Sequence, residues 1–390
     1  MQFNQSMTYR RLGKTGLMVS EVGFGAEWLA GKDEAFACEL AQACHDAGIN
    51  IVDCWMADPS VRSNLGAAIA RAGGREAWYI QGHIGSTWQD GQYVRTRDIE
   101  PVRAAFADEL ERLRTDYFDL GMVHFVDSDE DWQASTSGAF WEFVNELLDA
   151  GTIRHLGIST HNPRIAKKAI EHGAFEMIMF SINPAFDMLP PNDDINVMFA
   201  DEYDAELGGI NRERSELYQL AEEHDIGMTV MKPFAGGRLF DAQRSPFGVA
   251  LTPVQCIHYC LTRPAAASVM GGYASVEHVR EAVAYETASE EACDYATVLA
   301  NAPRHTYAGQ CTYCGHCSPC TVGIGIAMVN KYADLAELHD EVPASVKDHY
   351  EALDVHADEC IGCQACENRC PFGVPIAERM ARTAELFGER

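Results

Sequence analysis

Eight cysteines near the C-terminus fall in two tight runs, Cys311, Cys314, Cys317, Cys320 and Cys360, Cys363, Cys366, Cys370. The second run, Cys-x2-Cys-x2-Cys-x3-Cys followed by Pro371, has the ligand spacing of a [4Fe–4S] site. The first is a close relative with one residue less before its last cysteine. Each Cys-x2-Cys-x2-Cys turn reaches three irons of one cubane, and the fourth ligand must come from a distance. In paired runs of this kind it is the last cysteine of the opposite run. Cys311, Cys314, Cys317 and Cys370 are therefore assigned to one [4Fe–4S] cluster. Cys360, Cys363, Cys366 and Cys320 are assigned to a second. A zinc site would use Cys-x2-Cys pairs across a spacer, which unbroken triplet steps closed by proline do not match. The other six cysteines (Cys38, Cys44, Cys54, Cys256, Cys260, Cys293) stand in apolar surroundings and read as buried small hydrophobes.

The rest of the chain must position these ligands and whatever they serve. At 390 residues it exceeds the size at which one hydrophobic core stops growing, so more than one domain is expected. Apolar residues at 47% and charged residues at 23% are globular values, which excludes a disordered chain, a collagen-like fibre and a small disulfide scaffold. The 58 acidic against 30 basic residues give a net charge of −28, which repels phosphate backbones and anionic lipid. Nucleic-acid and membrane partners are thus set aside. No apolar stretch of signal-peptide or membrane-spanning length occurs, so a cytoplasmic location with reduced thiols is expected.

Before the cysteine runs, strand-like and helix-like segments alternate. Short apolar runs recur at 21–25, 51–53, 78–82, 118–124, 153–159, 177–183, 227–231 and 267–270. Between them lie segments with helical periodicity, such as 98–113, where Val102, Phe106, Leu110 and Leu113 share a face. A second, 140–149, stops at Gly151. Eight strand–helix units predict an α/β fold, a closed (β/α)8 TIM barrel. An open doubly wound sheet would carry a glycine-rich turn after its first strand, and GFGAEW lacks the third glycine. The division expected is 1–285 for the barrel and 286–390 for a mainly α, ferredoxin-like domain binding the two clusters. The 39 residues between Cys320 and Cys360 carry helical spacing at Met328, Tyr332, Leu335 and Leu338. The connection 184–214 is too long for a compact loop and leaves a strand's C-terminal end, so it is expected to cover the substrate.

Nearly the whole chain resembles the aldo/keto reductase family, in its iron–sulfur branch. YRRLGKTGLMVSEVGFG resembles the family's N-terminal hairpin and first strand, IRHLGIST its fifth-strand signature, GMTVMKPFAGGRL its seventh, and VMGGYASVEHVREA its adenosine-phosphate segment. The resemblance implies a barrel, NADP(H) at its C-terminal face, and reversible reduction of a small organic carbonyl.

The family's catalytic set is Asp, Tyr, Lys and His. Tyrosine protonates the carbonyl oxygen while hydride reaches the carbon, and the lysine lowers the tyrosine pKa. Here Asp53 matches the aspartate and His124 the histidine, but the tyrosine position holds Asp58 and the lysine position holds His83. Histidine titrates near neutrality, so the expected order of proton donors is His83, then His124, then Asp58. The cofactor-binding candidates are Ser159, Asn183, Gly272, Ser275, Arg280 and Glu281, with His278 beside them. The family's asparagine beside Ser159 is Thr160, its sixth-strand glutamine is Met179, and the asparagine after Glu281 is Ala282. NADP(H) is the expected nucleotide, with a flavin as the alternative. A cubane passes single electrons whereas a nicotinamide passes hydride. The clusters therefore either staple the C-terminal domain or receive electrons from a ferredoxin-like donor. A catalytically silent barrel acting as electron carrier or redox-responsive binding protein is the remaining alternative.

Overall fold

The computed structural model describes residues 4–189, 198, 211–304, 307–339 and 341–389. An antiparallel hairpin opens the chain, β1 (Tyr9–Arg11) against β2 (Met18–Ser20). Then come β3 (Val22–Gly25), β4 (Ile51–Cys54) and β5 (Tyr79–Ile84). A second antiparallel hairpin, β6 (Ser86–Gln89) and β7 (Gln92–Arg95), follows directly. The chain continues with β8 (Phe118–Val123), β9 (Ile153–Thr160), β10 (Met177–Ser181), β11 (Gly227–Met231) and β12 (Ala266–Gly272). Strands β3, β4, β5, β8, β9, β10, β11 and β12 pair in that order, all in parallel, and β12 returns to β3 to close the barrel. The eight apolar runs of the sequence are these eight strands, and β8 and β10 are buried at every residue.

The helices bury their apolar stripes on the outside of the barrel. Helix Ile99–Leu113 buries Val102, Phe106 and Leu113, while Leu110 is half-buried and Glu109 takes the inward position. Helix Gly138–Asp149 ends before Gly151, whose φ of 69° is the left-handed geometry of a helix stop. The first hairpin plugs the barrel's N-terminal end, where Leu12 and Val19 join Ile51, Leu120, Met122 and Met177 in the interior. Gly13 is required there: a Cβ would sit 2.1 Å from the Gly227 nitrogen. Among the described residues, the barrel's large cleft lies at the opposite, C-terminal mouth.

The C-terminal region is helical: Glu290–Cys293, Tyr295–Ala300, Ile326–Ala336, Ala344–Glu351 and Ile376–Leu386. Its apolar side chains, including Tyr295, Leu299 and Tyr307, belong to the same core as the barrel's outer layer. Polar ties cross the junction. Arg263 donates to the Thr312 carbonyl, Lys331 pairs with Glu222, and Gln219 donates to the Tyr313 hydroxyl at 3.1 Å. On helix Ile326–Ala336, Tyr332 and Leu335 are buried as the spacing predicts, but Met328 is 39% exposed and the buried stripe runs through Ile326 and Val329 instead. The expectation that 184–214 covers the substrate falls largely on 190–197 and 199–210, outside the described residues.

Candidate functional site

At the barrel mouth, side chains from separate strands form one hydrogen-bonded chain. Asp53 is the penultimate residue of β4, and its Oδ1 lies 2.8 Å from His83 Nε2 on β5 and accepts from Gln81 Nε2 at 2.9 Å. His83 Nδ1 lies 2.8 Å from Nδ1 of His124, the residue after β8. His124 Nε2 lies 2.7 Å from the Tyr93 hydroxyl. Asp53, His83 and His124 are buried, and all four groups line one cleft.

Tyr93 was missed by sequence reasoning, because the stretch after β5 reads as loop. The available signal is Asp90-Gly91, a two-residue hairpin turn between strand-like residues. Both adopt positive φ, 50° and 77°, and Trp88 pairs with Tyr93 across the turn. Trp55 holds the phenol and imidazole in place. It stacks on His124 at 5.9 Å and 11°, and meets Tyr93 edge-on at 5.4 Å. Arg97 donates to the His124 carbonyl at 2.6 Å and pairs with Asp131 at 2.8 Å. Behind His83, Glu109 accepts from its backbone nitrogen at 3.3 Å and pairs with Arg62 at 3.1 Å.

The electrostatics follow from this burial. Desolvation, then His83, push His124 well below the usual imidazole range. Burial pushes the Glu109 carboxyl up to about 7 despite Arg62. It raises the Tyr93 phenol as well, against the pull of Arg95 and Arg97. A neutral His124 therefore faces a protonated Tyr93 at neutral pH.

The cleft has a volume of about 480 Å³ and runs from this chain to Gly272, Ala274 and His278. Aromatic rings of Trp28, Trp55, Phe125, Phe234 and Phe240 wall it. Phe125 adopts φ 49°, a conformation costly for a bulky residue, and its nitrogen donates to Ser159 Oγ at 2.7 Å. Ser159 lines the cleft, and its own hydroxyl proton remains to be donated. Met179 also lines it, where the resemblance would place a glutamine. A second imidazole that sequence reasoning missed, His161, lines the cleft beside Phe125. Asp127 backs it, with Oδ2 at 2.8 Å from Nδ1 and Oδ1 accepting from the His161 nitrogen at 2.7 Å. Lys232 follows β11 into the cleft, its Nζ 3.9 Å from Glu27.

Other candidates lie apart. Asp58 caps helix Pro59–Arg71, accepting from both the nitrogen and the hydroxyl of Ser60 at 2.7 Å, and is not among the cleft's lining residues. Asn183 is consumed by backbone: its amide donates to the Lys232 carbonyl at 2.9 Å and its oxygen accepts from Phe186 at 2.8 Å. Gly272 faces Trp28, whose indole a Cβ would meet at 2.5 Å. Ser275 caps helix Val276–Val283 by accepting from the His278 nitrogen at 3.3 Å. Arg280 and Glu281 are exposed, and Arg280 pairs with Glu277 at 3.1 Å.

The cysteines line two small cavities. Cys311, Cys314, Cys317 and Cys370 line one, and Cys320, Cys360, Cys363 and Cys366 the other. Left-handed residues sit between the cysteines of each run, Tyr313 and Gly315 in the first, Gly362 and Gln364 in the second. They curl each loop around its cavity. Arg369 ties the runs together, donating to the Cys317 and Pro319 carbonyls at 2.6 Å each. Burial pushes the Cys311 thiol up to about 12 and Cys317 up to about 11. Such buried sulfurs become thiolates only beside a cation, so the donor set fits an iron–sulfur group.

Residues 21–249, more than half of the chain, match the Aldo/keto reductase family. The chain belongs to the aldo/keto reductase family. Residues 353–376 match the 4Fe-4S binding domain, so this aldo/keto reductase carries an iron–sulfur region after its barrel. It is similar to Aldo-keto reductase YhdN of Bacillus subtilis, 30% identical over 161 residues. That match covers 39% of this chain and 47% of YhdN, so the chain spans about half that relative's length. Uncharacterized oxidoreductase YqkF of the same organism is 27% identical over 70% of this chain and 90% of its own. A probable voltage-gated potassium channel subunit beta of Oryza sativa subsp. japonica is 26% identical over 60% of this chain and 66% of its own. Among solved structures, aldo-keto reductase AKR11C1 from Bacillus halodurans (holo form) has a TM-score of 0.55 at 24% identity, covering 73% of this chain and 92% of that one. That likeness concerns the fold alone. No helix among the described residues is long and apolar enough to cross a membrane.

Proposed function

We propose that this aldo/keto reductase reduces or oxidises a small to medium organic carbonyl in the cytoplasm with NADP(H), and that its C-terminal domain, 286–390, holds two [4Fe–4S] clusters beside a barrel of 1–285. One observation carries the catalytic part: the Asp53–His83–His124–Tyr93 chain opens into a cleft that also reaches Gly272 and His278. The cleft therefore joins a proton-holding end to a turn suited to an anionic cofactor.

A bound nicotinamide would supply hydride to the carbonyl carbon. Ser159 has a hydroxyl proton to offer a carboxamide oxygen. The Gly272–Ser275 turn and His278 would receive phosphate. The aromatic walls exclude water around the carbonyl, and the His124–Tyr93 end holds its oxygen. Calorimetry on anaerobic holoenzyme tests the reading. Saturable binding of NADPH, weakened by His278→Ala, is expected; absence of NADPH binding would overturn it.

A second reading is favoured by a continuous route between the two parts. Phe372, two residues after Cys370, meets Tyr307 at 5.9 Å, and Tyr307 donates to the Pro184 carbonyl. Neighbouring Asn183 donates to the Lys232 carbonyl at the cleft. On this reading the clusters, charged by a ferredoxin-like donor, feed single electrons to a flavin or substrate in the cleft. Turnover driven by dithionite alone, without NADPH, would support it.

A further inference from the structure

We infer that Tyr93, presented by the β6–β7 hairpin, is the group that protonates the substrate oxygen, and that His124, His83 and Asp53 form the relay that recharges it. This rests on the carbonyl reading above. The hairpin supplies a phenol at the place where the barrel strands themselves provide none.

The geometry restricts how protons can be arranged. His83 Nδ1 and His124 Nδ1 are 2.8 Å apart, so one of them must donate and the other accept. His83 Nε2 faces the Asp53 carboxylate and donates to it. With His124 held neutral by its burial, two arrangements remain. With His83 neutral, its Nδ1 accepts from His124 Nδ1–H, His124 Nε2 is bare, and the Tyr93 proton is tied up in donating to it. With His83 doubly protonated, it donates to His124 Nδ1, and His124 Nε2–H donates to the Tyr93 oxygen. The phenolic proton then points free into the cleft. One proton at His83 thus turns Tyr93 from a donor to histidine into a donor to substrate.

A bound nicotinamide would supply the hydride whose electron pair goes to the carbonyl carbon, with the C=O π pair moving to oxygen. The Tyr93 O–H bond breaks as an O–H bond forms on the substrate. The phenolate takes the proton from His124 Nε2, His124 Nδ1 takes the one from His83 Nδ1, and a neutral His83 remains on Asp53. Solvent then returns one proton to the chain.

Charged groups face the chain from every element packed against it. Asp53 faces His83 from β4, and Glu109, paired with buried Arg62, reaches its backbone nitrogen. Arg97, balanced by Asp131, and Arg95 flank His124 from the hairpin side. His161 with Asp127, and Lys232 with Glu27, complete the surroundings across the cleft.

The test uses anaerobic holoenzyme. Tyr93→Phe keeps the ring on Trp55 and removes only the hydroxyl. It is expected to lower kcat for carbonyl reduction about 100-fold or more while leaving NADPH affinity unchanged. His83→Gln, which cannot pass a proton between Asp53 and His124, should lower kcat with KM unchanged, which a merely structural role would not do. Nitrogen NMR of labelled histidine gives a readout free of turnover: Tyr93→Phe should move the His124 Nε2 resonance. Near-wild-type kcat in Tyr93→Phe would overturn the inference and leave the carbonyl reading standing. A wild type that binds no NADPH and turns over no carbonyl would overturn both.

Discussion

In the C-terminal region, three of the four thiols around each cavity come from one tight turn, and a single cysteine crosses from the other run. At the barrel mouth, Asp53, His83 and His124 come from three strand ends and Tyr93 from an inserted hairpin. One site is assembled by local chain geometry, the other only by barrel closure. The first depends on ligand count. The second depends on distances set by packing across the whole barrel, where a shift of one ångström breaks a proton relay. The two share one continuous core. They should therefore be chemically separable and mechanically inseparable.

The largest effect expected is from Cys370→Ala. It should abolish the cluster held by Cys311, Cys314 and Cys317, halve the iron content and leave NADPH affinity intact. Electron paramagnetic resonance and iron assay check it. Loss instead of the cluster of the Cys360 run would show that the ligand sets do not cross. Asp53→Asn should do the converse, lowering kcat about 100- to 10,000-fold with iron content unchanged. Iron loss in that variant would break the separation.

How much of this was legible follows the same contrast. The cysteine runs announce themselves because their ligands are neighbours in sequence. The eight strands announce themselves because each is a short buried apolar run between helical segments. Asp53, His83 and His124 could be picked out at strand ends, yet nothing in the order of residues shows that their nitrogens and oxygens meet. Tyr93 escaped because its strand is four residues long and half-exposed, so that only Asp90-Gly91 marks it. Asp58 and Asn183 have the right residue types, but short polar side chains at strand–helix junctions are readily taken up by nearby backbone, as Ser60 and Phe186 show.

A third variant tests the mechanical join. Asp187 is fully buried and accepts from Arg214 Nε at 2.9 Å, from Tyr259 at 2.7 Å and from Tyr218. Asp187→Ala leaves the buried Arg214 guanidinium without its counter-charge and should cost about 3–5 kcal/mol in chemical denaturation. Barrel and cluster signals should be lost in one transition; two separate transitions would contradict a shared core.

The smallest effect concerns Asp127. Burial alone would raise its carboxyl, but His161 and its nitrogen hold it below the usual carboxylate range. The stability this supplies is complete above the unfolded value of about 3.9 and is lost as pH falls through the folded one. Asp127→Asn should thus cost about 1–3 kcal/mol at neutral pH, with the gap from wild type closing in acid. A gap that widens in acid would show that the dyad does not hold the carboxylate charged.

The most direct measurement is deuteride tracing. Anaerobic holoenzyme is given NADPH deuterated at the transferring carbon, with a carbonyl substrate, and the alcohol is weighed by mass spectrometry. Deuterium on the carbinol carbon, with formation of that alcohol greatly slowed in Tyr93→Phe, is expected of hydride chemistry at the barrel mouth. Alcohol formed without deuterium would contradict it and place the reducing electrons on the route through the clusters.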